Sequence, residues 1–372
     1  MRIWIRRGIG LLLVISLMLM PGTAARATEP TEAAETVPVQ ETLPPETVPE
    51  PTEIPETQPA ETEPAEEPTE EPAEEPTEEP TEPPVVYTVD TGTEIYGLLD
   101  ELAQELVSDQ ILVYDATNDK IIYTMTNEGD KLYPASITKL FSTYVALQYL
   151  DPEEVITAGD ELSLVKPGSS MAYIGKGHKL YARTVVEAMM LPSGNDAAMV
   201  LAAAAGRRIA GDESLAAAEA VQTFVAEMNR MAKELGFEKT HFSNPDGFHT
   251  GSHYTCLTDM ARIAKLALGN SVISRYMRRA EDEVVFVSGQ AIQWKNTNLL
   301  LNREEGFYRG DAIGMKTGFT RQAEYCLMSA FKCQDGRTLV IGAFGSDEEF
   351  GRLRDILKLV NLCQSEMRKG TF

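Results

Sequence analysis

Fifteen of the 21 prolines fall between residues 28 and 84, and from Pro64 they recur every fourth residue in a near-tetrad of Pro, Thr or Ala, and two Glu. A proline at that interval removes the backbone donors a helix needs, and the scarcity of apolar residues leaves too little to bury. This stretch is therefore expected to be a disordered Pro/Glu/Thr-rich linker, extended by like charges and polyproline II preference, with a reach on the order of 150 Å. Two readings fit it: a stalk that holds a globular part away from a membrane or through a cell wall, or a solvated linker. Whatever folds must come from residues 85–372, enough chain for one large core or two intimate subdomains.

The same segment explains the charge. The chain carries −24 overall, but residues 28–84 hold 19 Glu and no Lys or Arg, and residues 1–27 hold four Arg and no acid. Residues 85–372 are left with only −9, and no basic patch or stripe suggests a nucleic-acid partner. At the N-terminus, Arg2, Arg6 and Arg7 precede an apolar run from Ile9 to Met20, followed by Ala25-Arg26-Ala27. That order reads as a signal peptide over 1–27 with a small-x-small cleavage site, in a run short for a bilayer span; the alternative is an uncleaved membrane anchor. An extracytoplasmic location follows from either. No cysteine follows the apolar run, which argues against a lipoprotein.

Cys256, Cys326, Cys333 and Cys363 are too few for a disulfide framework in a domain of this size and lie in no metal-ligand spacing. Cys326 and Cys333, seven apart on one strand, face opposite ways and cannot bridge. Four free or buried thiols are expected.

Along the folded part, 111–115 and 121–124 read as a β-hairpin about Asn118-Asp119. Ile137, Leu140, Phe141, Tyr144 and Val145 give a helical stripe after Pro134. Residues 184–230 are Ala-rich and helical, with breaks expected at 192–195, near Gly206 and near Gly211. Strand character returns over 313–345, with a turn at 334–336, and a last helix carries Leu353, Ile356, Leu357 and Val360 on one face. Strands at both ends enclosing a helical middle indicate an α+β fold with a helical insertion.

Three short motifs occur in order: Ser136-Ile137-Thr138-Lys139, Ser193-Gly194-Asn195 and Lys316-Thr317-Gly318. At the start of a helix, residues i and i+3 share a face, so the Lys139 amine reaches the Ser136 oxygen near the positive end of the helix dipole. A capping serine beside a solvent lysine would look the same locally. The spacing is cheap, about one chance hit in a chain of this length, and indeed Ser163-Leu164-Val165-Lys166 repeats it. Pro167-Gly168 follows that copy and prevents it from opening a helix. Pro192 to Asp196 puts polar side chains where the helical pattern should be apolar, as a turn or an N-cap also would. Lys316 on a strand is either functional or an edge charge, and Gly318 marks close approach of a ligand backbone. Together the three motifs supply a nucleophile, two proton carriers, an amide reader and a cationic strand, a complement suited to serine acyl transfer.

The triple is recorded for class A β-lactamases and penicillin-binding proteins, and the longer segments around it narrow the match. Pro134 to Lys139, Leu191 to Ala198, Trp294 to Leu300, Lys316 to Thr320 and Tyr325 to Leu327 resemble the D-alanyl-D-alanine carboxypeptidases, the low-molecular-mass penicillin-binding serine peptidases. The resemblance covers roughly residues 108–365. It implies a penicillin-binding/β-lactamase-like fold: a five-stranded antiparallel sheet with flanking helices beside an all-helical subdomain, making 85–372 the catalytic domain.

For chemistry, the resemblance implies that Ser136 attacks the penultimate D-Ala carbonyl of a peptidoglycan stem peptide, with Lys139 as a neutral base whose pKa burial and the charge of Lys316 both lower. Ser193 relays the proton to the leaving amine, and Asn195 holds Lys139 and reads a substrate amide. Backbone N–H groups of Ser136 and Phe319 form the oxyanion hole, and Lys316, Thr317 and Arg352 bind the terminal carboxylate. For Arg352 the alternative is a surface pair with Glu348 or Glu349. β-Lactam antibiotics are the expected inhibitors; no cofactor or metal is implied. An endopeptidase or a transpeptidase uses the same residues, a β-lactamase usually has Asp in place of Gly194, and a non-catalytic binding module is the remaining alternative.

Departures from the family pattern are Asp246, where His is common, His249, where Asp is common, and Glu324, at a position that is often Gly. Many relatives continue into a β-rich domain and an amphipathic anchor. This sequence stops at Phe372, so the stripe on its last helix is expected to pack into a core. His249 and His253, four apart with Thr250-Gly251-Ser252 between them, are expected in a loop rather than at a metal.

Overall fold

The structure is a computed structural model and describes residues 87–126 and 131–372; the expected signal peptide and linker lie outside them. Along the chain run α1 (Glu94–Ala103), the hairpin β1 (Ser108–Asp115) and β2 (Lys120–Met125), and then α2 (Thr138–Ala146). A ribbon of β3 (Val155–Thr157) and β4 (Lys179–Tyr181) leads into α3 (Ala182–Met190), α4 (Asn195–Ala210), α5 (Ala217–Glu234), α6 (Leu257–Gly269) and α7 (Ser271–Met277). A second ribbon, β5 (Glu281–Val285) and β6 (Ala291–Lys295), precedes β7 (Ala312–Thr320), β8 (Glu324–Lys332), β9 (Thr338–Ser346) and α8 (Gly351–Lys369).

The main sheet has five strands in the order β2-β1-β9-β8-β7, all antiparallel. Its N-terminal hairpin and C-terminal meander meet at the β1–β9 pairing, where Val113 faces Ile341 and Ile111 faces Ala343. Period-two alternation divides the side chains between two cores. Ile111, Val113, Leu327, Phe331 and Ile341 pack under α1 and α8 against Leu99, Leu353, Ile356 and Val360. Leu112, Tyr114, Cys326, Met328, Val340 and Phe344 face the helical layer. Each fully buried large side chain contributes about 2 kcal/mol. The expected stripe of α8 thus lies in the core. Asp355 fixes that helix by accepting hydrogen bonds from Val107 N, Ser108 N and Ser108 Oγ at 3.1, 2.9 and 2.7 Å.

Two expectations are revised, and a third feature bears on the site. The helical part is not all-helical, because it carries the two short ribbons β3–β4 and β5–β6. Gly206 does not break a helix: α4 runs through it, and a Cβ there would come within 1.8 Å of the Ala220 carbonyl oxygen, so glycine permits α4 and α5 to touch. Helix α4 stops at Gly211, a left-handed C-cap with φ 66°. Helix α2 has no solvent face opposite its apolar stripe, since Thr138, Lys139, Ser142 and Thr143 are buried as well. Its polar side is lined by protein, which is the environment that alters the chemistry of a lysine.

All four cysteines are free and buried. Cys326 and Cys333 fall in opposite cores of the sheet, as the strand period requires. No helix among the described residues is long and apolar enough to cross a membrane.

Candidate active site

Ser136 sits in a short 3-10 turn, Ala135–Ile137, that leads into α2. Ala135 takes φ 46°, a left-handed conformation that turns the chain sharply before the serine. Lys139 follows one turn later, fully buried, with Nζ 2.9 Å from Ser136 Oγ, 2.8 Å from Asn195 Oδ1 and 2.8 Å from the Asp246 carbonyl oxygen. These contacts exclude a solvent-exposed lysine beside a capping serine: Lys139 is bonded to Ser136 inside the protein.

The second motif fills the gap between α3 and α4. Ser193 has φ 63° and is 4% exposed at the cavity wall. At Gly194 a Cβ would meet the Ala172 Cβ and Asp196 Oδ1, each at 2.6 Å, so a larger residue there displaces the loop packed on it. Asp196 holds that loop through Ala172 N and Ile174 N, both at 2.9 Å. Asn195 spans the two: its Oδ1 faces Lys139, its Nδ2 donates to Ser169 Oγ at 2.9 Å, and its N donates to Ser170 O at 2.8 Å.

Strand β7 closes the other side. At Gly318 the strand comes close to the chain's own Ser136 turn. A Cβ at 318 would lie 2.9 Å from Pro134 O, 3.0 Å from Ala135 Cβ and 3.3 Å from Ser136 N. Lys316 lies on an edge strand, yet it is 1% exposed, which rules out a solvated edge charge. Its Nζ reaches Thr317 O at 3.2 Å, behind the cavity surface, while Thr317 itself lines the cavity and its hydroxyl bonds that of Thr297. Phe319 is exposed at the rim and packs at a tilt against Tyr325 with ring centroids 4.5 Å apart.

Ser136, Ser193, Asn195, Thr317, Gly318, Phe319 and Arg352 all line one cavity of about 860 Å³. Lys139 and Lys316 support it from beneath. Arg352 does not form the surface pair with Glu348 or Glu349 carboxylates. It is 9% exposed, donates from one terminal nitrogen to the Glu349 backbone oxygen at 2.7 Å, and lies over the Tyr325 ring. Its buried Nε has no hydrogen-bond partner.

Burial dominates the electrostatics. It brings Lys139 down to about 8, against the opposing pull of the Asp246 and Asp196 carboxylates. Lys316 falls well below the ordinary lysine range, through burial first and then the charges of Lys139 and Arg352. The expected repulsion between the two amines is thus expressed on Lys316, and Lys139 answers mainly to burial.

The loop carrying Asp246 closes the back. Gly247, φ 82°, brings its Cα so near the Ser136 turn that a Cβ would lie 1.8 Å from Ala135 O. His253 is buried behind it, with Nε2 2.8 Å from Thr138 Oγ1 and Nδ1 accepting from Ser243 N at 3.2 Å. That accepted bond fixes the tautomer, so Nε2 carries the proton and donates to Thr138. His249 packs edge-on against Tyr133 instead.

Sequence reasoning missed Ser169 and Thr297. Ser169 belongs to the loop after the discarded Ser163-to-Lys166 copy: Pro167-Gly168 denied it a helix but not a place in the site. Glu324 takes φ 54°, which explains why glycine suits that position.

A family model described as D-alanyl-D-alanine carboxypeptidase matches residues 100–345. The chain belongs to the D-alanyl-D-alanine carboxypeptidase family. Among curated relatives, D-alanyl-D-alanine carboxypeptidase DacF of Bacillus subtilis (strain 168) is 29% identical over 72% of this chain and 64% of its own length. A D-alanyl-D-alanine carboxypeptidase of Streptomyces sp. (strain K15) is 32% identical over 61% of this chain and 77% of its own. The chain thus spans somewhat less than two thirds of the Bacillus relative. The crystal structure of the Streptomyces K15 DD-transpeptidase superposes with a TM-score of 0.61 at 28% identity, covering 69% of this chain and 97% of that one. The penicillin-binding fold expected for the family is therefore the fold found.

Proposed function

We propose that this protein is a serine-type D-Ala-D-Ala carboxypeptidase that removes the terminal D-Ala from peptidoglycan stem pentapeptides outside the cytoplasm. The observation that carries the reading is the Lys139 amine, buried and bonded to Ser136 Oγ, Asn195 Oδ1 and a backbone carbonyl. A neutral amine has two N–H groups and one lone pair. Asn195 and Asp246 take the two donors, which leaves the lone pair aimed at the Ser136 hydroxyl. Lys139 then takes that proton as Ser136 Oγ bonds to the penultimate D-Ala carbonyl carbon.

The carbonyl oxygen develops negative charge and is received by the N–H groups of Ser136 and Phe319, at the place where Gly318 lets β7 approach the turn. Collapse expels the terminal D-Ala; its nitrogen takes a proton through Ser193, whose left-handed backbone sets its side chain at the cavity wall. Thr317, Arg352 and the charge of Lys316 beneath hold the terminal carboxylate, and the unpartnered Nε of Arg352 supports this. Water then releases the acyl group and frees Ser136. β-Lactams enter as mimics of the same peptide and stop at the acyl stage.

A second reading concerns only the acceptor. The K15 relatives carry one name that means transfer to water and one that means transfer to an amine. Mass spectrometry of a stem pentapeptide incubated with the full chain, with and without an amine acceptor, tests both. Loss of one D-Ala, blocked by penicillin and absent in Ser136→Ala, is the expected result. An amine adduct in place of hydrolysis indicates transpeptidation, and no product from folded protein overturns the reading.

A further inference from the structure

The acyl-transfer reading uses the Asp246 backbone carbonyl and leaves its carboxyl group without a task. That side chain is fully buried. Its Oδ1 accepts the Phe248 N–H at 2.9 Å, and its Oδ2, also buried, has no hydrogen-bond partner. An unpartnered carboxylate oxygen in an interior is costly. The bond to Phe248 needs only a neutral acceptor, which an asparagine would supply. What the carboxylate adds is charge, and it adds it in the loop that holds Lys139 and is wedged by Gly247 against the Ser136 turn.

The geometry points to Asp246 as a positioning residue whose carboxylate sets the proton affinity of Lys139, and so the pH at which that amine can take the proton of Ser136. The inference rests on the reading of Lys139 as the base.

The surrounding charges leave this role to Asp246. Lys139 faces two carboxylates, Asp246 and Asp196. Asp196 is spent on the Ala172, Ile174 and Ala197 N–H groups, so three donors already offset its charge. Asp246 is offset less, by the Phe248 N–H and its own backbone N–H, and the cations it faces are Lys139 and Lys166. Lys316, whose proton affinity the Lys139 charge lowers, adds no negative charge, and neither does His253, which is neutral behind Thr138. Burial raises the Asp246 pKa while Lys139 lowers it, so the carboxyl and the amine titrate as a pair. With Asp246 ionised the amine keeps its proton to higher pH.

The test is the acylation rate with a fluorescent penicillin, measured in single turnover against pH for the full wild-type chain and for Asp246→Asn. Asparagine keeps the acceptor for Phe248 and the carbonyl for Lys139 but removes the charge. The acid limb of the variant is expected about one pH unit lower. Well below that limb the variant then acylates about tenfold faster than wild type. Asp246→Ser, read in the same way, serves if the asparagine variant fails to fold by circular dichroism. A limb that stays in place in a folded variant overturns the inference, as does an equal loss of rate at every pH, which is what a merely structural residue would give. Both outcomes leave the base assignment standing. Wild-type acylation with no acid limb overturns that assignment and this inference with it.

Discussion

Lys139 Nζ lies 2.9 Å from Ser136 Oγ, and none of the three acceptors around that amine carries a formal charge. Neutral acceptors stabilise an ammonium less than a carboxylate would, so burial decides the balance and brings Lys139 to about 8. The neutral base is then present in quantity at ordinary pH. Acylation by penicillin should rise about tenfold per pH unit on the acid side and level off above roughly pH 8. The sign for stability is the same. The unfolded lysine holds its proton to higher pH than the folded one, so this group adds stability as pH climbs from about 8 toward the ordinary lysine value. Stopped-flow acylation from about pH 6 to pH 9 checks the kinetic part; a flat profile would remove Lys139 as the base.

Gly318→Ala puts a methyl group 2.9 Å from Pro134 O and 3.0 Å from Ala135 Cβ. Strand β7 must then retreat from the nucleophile turn by a few tenths of an ångström, taking the Phe319 N–H with it. A misplacement of about 1 Å costs about 100-fold in a site that works by orientation, so a shift of this size should cost several-fold. The expected result is a fall in the acylation rate constant at saturating penicillin, with a melting temperature close to wild type. A fall confined to affinity would contradict the role given to that approach.

Arg352→Gln removes the cation that approaches the cavity over Tyr325 while keeping a polar side chain. A charged hydrogen bond to a carboxylate is worth about 1.5–3 kcal/mol, so kcat/KM for the pentapeptide should fall about 10- to 100-fold. A substrate amidated at its terminal carboxyl should lose much less. Equal losses for both peptides would exclude Arg352 as the carboxylate anchor.

Burial pushes the His253 pKa down to about 3, and His241, His249 and Lys139 add to the effect. The folded state therefore keeps His253 neutral while the unfolded chain protonates it near its ordinary value. Stability from this group is complete above about pH 6.5 and declines as pH falls toward 3, by a total on the order of a few kcal/mol. His253→Gln retains a donor for Thr138 and should flatten the difference in unfolding free energy between neutral and mildly acidic buffer. Denaturant unfolding at the two pH values measures it; an unchanged difference means that His253 is not the responsible group.

Much of this site was legible in the chain. The spacing of Ser136 and Lys139 is a helix period, and the Ser193-Gly194-Asn195 break stood out because polar residues replaced an expected apolar run. The hairpin of β1 and β2 was read from two β-prone apolar runs about Asn118-Asp119, and the stripe of α8 from a period of 3.6. Ser169 was not legible, because its partner Asn195 is 26 residues away and nothing local marks a serine in a loop as a hydrogen-bond acceptor. Gly206 was misread as a helix break for a related reason: a glycine that makes room for a neighbouring helix looks like one that ends its own. The ribbons β3–β4 and β5–β6 escaped because three- and five-residue strands give too few repeats to establish a period.

By itself the sequence determined which groups are present and in what order: the hydroxyl, the amine, the amide and the cation, on elements whose local patterns fix their type. Only the tertiary structure decided that Lys139 is buried on every side, that Gly318 approaches the chain's own Ser136 turn, and that Asp246 brings a carboxylate to the loop holding the base. Proton affinity depends on solvation and on charges distant along the chain, and those are set by packing.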